Sequence, residues 1–126
     1  MSWSSKQQST VVTSSTHVEY IAMAEASKEL VWLRRLLSKL HEGTCGPTRL
    51  YIDNRTADLL AQNPINHTMT KHINVRYHFI RECIINGSVN LKLIGTNDMA
   101  ANILTKALAV TKHEHFCQML GMETMP

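Results

Sequence analysis

The chain has 126 residues, 44% of them apolar and 18% charged, with a mean hydropathy of −0.16. That is one domain's length with enough apolar material for a single core, and it argues against both a disordered segment and a membrane protein. A formal charge of +3 and a pI near 8.9 permit a polyanionic partner without requiring one. The opening "MSWSSKQQST" lacks the apolar stretch of a signal peptide, and Cys45, Cys83 and Cys117 are odd in number with no CxxC spacing. The expectation is a cytoplasmic or nuclear chain with reduced thiols and no membrane partner.

In chain order, Val11 and Val12 among Ser and Thr predict a short strand over 9–14. Thr16 and Glu19 have capping-box spacing. From there Val18, Ala22, Ala26, Leu30, Leu33, Leu37 and Leu40 recur every three or four residues, which predicts an amphipathic helix over 16–41. Gly43, Gly46 and Pro47 end it, and "TRLYID" forms a strand whose last residue is Asp53. "NRTADLLAQ" predicts a short helix stopped by Asn63 and Pro64, and Thr70 caps the next helix, with Ile73, Tyr77, Ile80 and Ile84 as its buried stripe. Gly87 stops that helix, "SVNLKLIGT" alternates as a strand, and "NDMAANILTKAL" and "TKHEHFCQMLG" predict two terminal helices, the second capped by Gly121. The alternation indicates a layered α/β domain in which strands 48–53 and 88–95, joined through helices, run parallel. Three strands make a thin sheet.

Two carboxylates stand out. Glu19 lies on the first turn of the long helix, and Asp53 lies at the C-terminal end of a strand, the edge at which open α/β sheets place ligands. Paired carboxylates on rigid elements can hold Mg²⁺, and two such ions can clamp an in-line phosphodiester displacement, a reaction that needs about four carboxylates. The other reading is equally physical. Glu19 is the partner of a capping box, and an Asp before Asn at a strand end is a common cap or turn residue.

The blocks SST-x-x-EY, Y-x-DN, NP-x-x-H-x-x-TKHI-x-x-RYHFIR and ILTK-x-L, in this order and spacing over nearly the whole chain, resemble the C-terminal ribonuclease H region of copia-type retrotransposon polyproteins. The resemblance implies a ribonuclease H-like three-layer α/β fold, here lacking its first two strands, with a short mixed sheet and flanking helices. It also implies an ancestral reaction, two-metal hydrolysis of the RNA strand of RNA/DNA hybrids with Mg²⁺ as cofactor. By that resemblance Glu19 matches the catalytic glutamate and Asp53 the aspartate at the end of the fourth strand, both metal ligands. The family's first catalytic aspartate is expected on a strand upstream of the SWSSKQQ block, outside this chain. Where the family has LADILTK this chain has MAANILTK, so Asn102 replaces the Asp that completes the site. His17 and Asn74 replace a non-catalytic Glu and an Asp.

Asp98, four residues before Asn102 on a predicted helix, could approach the same face and rescue the site. Two formal charges where about four are needed otherwise leave a weak or absent Mg²⁺ site, and losing ligands of a concerted site removes most of the rate. The expectation is very low or no nuclease activity. A missing central strand would expose a sheet edge, which predicts a homodimer through that edge, aggregation, or refilling by residues 5–14. Lys71, His72, Arg76 and Arg81 of the basic helix are candidate contacts to an RNA/DNA hybrid or other nucleic acid, or else a solvated face. A zinc site at His113, His115 and Cys117 is disfavoured, because His115 points away from the face the other two share and no second pair completes a tetrahedron. The alternative to a degenerate nuclease is a co-opted non-catalytic module that binds nucleic acid or protein. A third reading is an active nuclease that borrows carboxylates from a partner chain.

Overall fold

The computed structural model describes residues 15–43, 45–55, 58 and 71–123, with side chains from Thr16 onward in the first helix and from Asn74 onward in the helix that begins at Lys71. In order, the elements are α1 (Ser15–Lys39), β1 (Thr48–Ile52), α2 (Lys71–Ile85), β2 (Val89–Leu93), two 3₁₀ turns (Thr96–Asp98 and Ala100–Leu104) and α3 (Val110–Met119). The chain divides into a larger unit that ends at Ile94 and a smaller one that begins at Gly95.

In the larger unit β1 and β2 pair in parallel, from Thr48 opposite Val89 to Ile52 opposite Leu93. Parallel strands need a long crossover, and the stretch carrying α2 supplies it. The Thr48 N–H donates to Ser88 O at 3.0 Å and the Ile94 N–H to Ile52 O at 2.8 Å, extending the ladder at both ends. Period-two alternation sorts the side chains: Ile52 and Val89 are buried and Leu50 and Leu91 half-buried, whereas Arg49, Tyr51, Asn90 and Lys92 are exposed. The apolar face packs into a cluster of Tyr20, Met23, Ala24, Ile52, Tyr77 and Ile80, flanked by Leu50, Ile84 and Leu91. Each large side chain buried there stabilises the unit by roughly 1.5–3 kcal/mol.

The predicted long helix forms, but its buried face is rotated from the predicted stripe. Val18 is 40% and Leu40 62% exposed, while Tyr20, Ile21, Met23, Ala24 and Ser27 are buried. Burial follows apolar area, and Tyr, Ile and Met remove more surface from water than the alanines of the regular 3–4 spacing. Ser27 joins this face without an unsatisfied hydroxyl, because its Oγ donates to Met23 O at 2.8 Å. α1 begins at Ser15, so Thr16 lies inside the first turn rather than at its cap. The helix also ends differently from the prediction. His41, not Gly43, takes the left-handed conformation at φ 62°, and the Glu42 N–H reaches back to Leu37 O at 3.0 Å. Arg34 then ties this helix to β1, its Nη1 donating to Gly46 O at 2.8 Å and to Thr48 Oγ1 at 2.7 Å.

α2 carries the expected stripe at Tyr77, Ile80 and half-buried Ile84, with Cys83 buried beside it. It stops at Gly87, φ +75°, where the Ser88 N–H donates to Cys83 O at 3.0 Å. The strand predicted over 9–14 and Thr70 lie outside the described residues, as does most of the helix predicted over 54–62, of which Arg55 and Asp58 are helical. Among the described residues the sheet is therefore two-stranded and parallel rather than mixed.

In the smaller unit "NDMAANILTKAL" is not an α-helix. It forms two 3₁₀ turns separated by Met99 in extended conformation, φ −78° and ψ 96°. Its bonds run i to i+3, with the N–H of Asp98, Asn102 and Thr105 donating to Gly95 O, Met99 O and Asn102 O. α3 forms as predicted and ends at Gly121, φ +72°, with the Met122 N–H on Cys117 O at 2.9 Å.

Candidate functional site

Glu19 is half-buried just beyond the first turn of α1, and Asp53 is half-buried one residue past the C-terminal end of β1. Their immediate neighbours, Tyr20 and Ile52, belong to the same buried cluster. The two carboxylates are therefore carried by elements that contribute to one core cluster, and Asp53 stands at the C-terminal end of the parallel strands, where α/β sheets bind ligands. The Ile94 N–H bond to Ile52 O holds the last peptide of β1 beside Asp53.

Tyr20, next to Glu19 on α1, is 1% exposed and stacks on Tyr77, with ring centroids 6.0 Å apart and planes at 23°. The Tyr20 hydroxyl finds no hydrogen-bond partner among the described residues. Burial pushes its phenol well above the ordinary tyrosine range, Tyr77 adds to the shift, and the charge of Arg81 opposes it. The "EY" pair marks this position in the sequence, but pattern alone says nothing of an unpartnered hydroxyl.

Arg76 reaches from α2 toward α1, and Arg81 lies against a tyrosine of its own helix. Arg76 Nε lies 3.9 Å from Glu25 Oε1, which also accepts from Lys28 Nζ at 2.9 Å, and the Arg81 guanidinium sits 5.8 Å from the Tyr77 ring centroid. An ion pair this exposed contributes little, about 0–1 kcal/mol, whereas cation–π contact over a buried ring fixes an arginine's orientation. The side chains of Lys71 and His72 lie outside the described ones.

Asn102 and Asp98 belong to the smaller unit. Asn102 is 8% exposed, and its Nδ2 donates to Thr96 O at 2.8 Å. Asp98 is exposed on the preceding 3₁₀ turn, and extended Met99 between them removes the i to i+4 relation on which the rescue by Asp98 depends. Among the described residues no group of three or more His, Cys, Asp or Glu gathers as a metal cluster. Glu19 and Asp53 offer carboxylate oxygens of the kind Mg²⁺ takes, and Mg²⁺ demands near-octahedral oxygen coordination.

No protein-family model matches the chain, and no solved structure matches it. Curated relatives do. The chain is 39% identical over all 126 residues to the retrovirus-related Pol polyprotein from transposon RE1 of Arabidopsis thaliana. It is 40% identical, over 98% of its length, to the retrovirus-related Pol polyprotein from transposon TNT 1-94 of Nicotiana tabacum. In each case the chain spans 9% of the relative. A shorter match, 58% identical over 33 residues, covers 26% of this chain and 23% of secreted RxLR effector protein 161 of Plasmopara viticola. The homologues of this chain are thus Pol polyproteins of plant transposons, and it corresponds to one segment of such a polyprotein. No helix among the described residues is long and apolar enough to cross a membrane.

Proposed function

We propose that the chain is a ribonuclease H-like segment of a copia-type Pol polyprotein in which the two-metal hydrolysis of RNA/DNA hybrids is lost or strongly impaired. The supporting placement is Glu19 on α1 and Asp53 at the end of β1, on elements that share one core cluster. The observation that carries the impairment is Asn102. Its amide donates to the Thr96 carbonyl, a bond that an ionised carboxylate has no proton to make. The side chain at this position serves the 3₁₀ turn and brings no charge to a metal site.

The test is cleavage of an RNA/DNA hybrid in Mg²⁺ by the 126-residue chain and by Glu19→Gln and Asn102→Asp variants. The expected result is no cut above the blank for any of them. A Mg²⁺-dependent cut abolished by Glu19→Gln overturns the proposal and favours a nuclease completed by carboxylates from a partner chain. Activity gained by Asn102→Asp alone overturns the structural role given to the amide.

A second reading, a non-catalytic interaction module, is favoured by the apolar surface of α1. Trp32, Leu36 and Leu40 recur every four residues and are 58%, 39% and 62% exposed. Continuous apolar stripes on a helix are uncommon on isolated soluble domains. On this reading a second copy covers the stripe, and sedimentation of the metal-free chain gives a dimer that Trp32→Glu dissociates. A monomer at high concentration counts against it.

A further inference from the structure

α3 carries a donor pair that the proposed function leaves unused. His113 and Cys117 are four residues apart on one helical face, and Cys117 Sγ lies 3.6 Å from His113 Nδ1. A tetrahedral zinc ion, with Zn–S of about 2.3 Å and Zn–N of about 2.0–2.1 Å, sets its sulfur and nitrogen ligands about 3.6 Å apart. The pair therefore already stands at the separation of one edge of a zinc tetrahedron.

The surroundings leave this edge accessible. His113 is exposed and Cys117 half-buried. The adjacent cation, Lys112, is engaged elsewhere: its Nζ donates to Asn97 Oδ1 at 2.9 Å and lies 5.6 Å from the Phe116 ring centroid. His115 is turned against Phe116, with ring centroids 5.9 Å apart, and does not join.

Two donors on one helix make half a structural zinc site, which takes four. Among the described residues no third His, Cys, Asp or Glu gathers with them. A second copy related by a two-fold axis presents an identical edge, and two such edges make a Cys₂His₂ tetrahedron. Val110, one turn before His113, is 72% exposed and offers apolar surface for that contact to cover.

We propose that His113 and Cys117 form a half-site for zinc or another thiophilic divalent ion, completed by the same pair of a second copy. Each thiol loses its proton to solvent on binding, and each imidazole ligates through neutral Nδ1 with its proton on Nε2.

The test uses the full chain under non-chelating reducing conditions, with Zn²⁺ for sedimentation and Co²⁺ for spectroscopy. The expected result is one ion per two chains, a doubling of the 14.3 kDa mass over the metal-free value, and a thiolate-to-cobalt charge-transfer band. Cys117→Ser and His113→Gln each abolish the band and the mass change, and Cys45→Ser leaves both intact. Three outcomes overturn the proposal: no metal-dependent mass change at a large excess of zinc, binding that survives Cys117→Ser, or one ion per chain without association. The outcome is independent of nuclease activity, so its failure is separate from a failure of the proposed function.

Discussion

Replacing Tyr20 by Phe should stabilise the protein, because it removes one oxygen and leaves the packing in place. The ring is 1% exposed and stacked on Tyr77, and its hydroxyl has no hydrogen-bond partner among the described residues. A buried unsatisfied hydroxyl costs about 1–3 kcal/mol, so Tyr20→Phe should gain roughly 1–2 kcal/mol once a small loss of contact is allowed for. For a chain of this size that corresponds to a rise in Tm of about 3–6 °C per kcal/mol.

The same residue predicts a pH dependence with a definite sign. Its folded pKa is raised by burial, so above pH 10 the unfolded chain releases the phenolic proton while the folded chain keeps it. The unfolded state then binds fewer protons, and stability falls as pH rises, by at most about 1.4 kcal/mol per pH unit from this group. Urea unfolding of wild type and Tyr20→Phe between pH 7 and pH 11 measures both effects. The variant should be the more stable throughout, and the gap should be constant below pH 10 and widen above it. A variant less stable than wild type at pH 7 would show that the hydroxyl is bonded, and a gap that stays constant to pH 11 would refute its burial as a neutral phenol.

Further outcomes follow from other sites. Ile80→Ala removes a side chain with 0% exposure from the centre of the cluster, and chemical denaturation should show a loss of about 2–5 kcal/mol. His41→Gly relieves the left-handed backbone at φ 62°, and thermal melting should show a gain of about 1 kcal/mol, whereas a loss would mean that the imidazole makes a stabilising contact. Alkylation should modify exposed Cys45 rapidly. Buried Cys83, whose thiol is pushed up by burial and by the adjacent Glu82, should react only on unfolding, as peptide mapping of partially labelled protein would reveal. Asn102→Asp should destabilise the smaller unit by roughly 1–3 kcal/mol at neutral pH, since a buried carboxylate would face the Thr96 carbonyl. Hydrogen exchange over residues 95–105 measures it.

Much of the architecture is legible in the residues themselves, because backbone geometry is a local property. Apolar periodicity marks the helices that become α1 and α2, glycine marks the stops at Gly87 and Gly121, and alternation marks β2. Their parallel pairing also follows from sequence order, since a long helical crossover returns a strand in the same direction. The structure departs from the sequence pattern at two local features. His41 adopts the left-handed cap that a nearby glycine could have taken, and the 3₁₀ turns around Met99 replace an α-helix that spacing alone favours.

The candidate site divides in the same way. The sequence determined which residue types stand at positions 19, 53 and 102, hence two carboxylates and a neutral amide. Only tertiary structure decided what those residues do. Packing placed Tyr20 and Ile52 in one buried cluster and buried Asn102, whose amide donates to Thr96 O. Residue identity fixes charge and donor count, but which face of a helix is buried, and which donors meet, depends on the area each face removes from water.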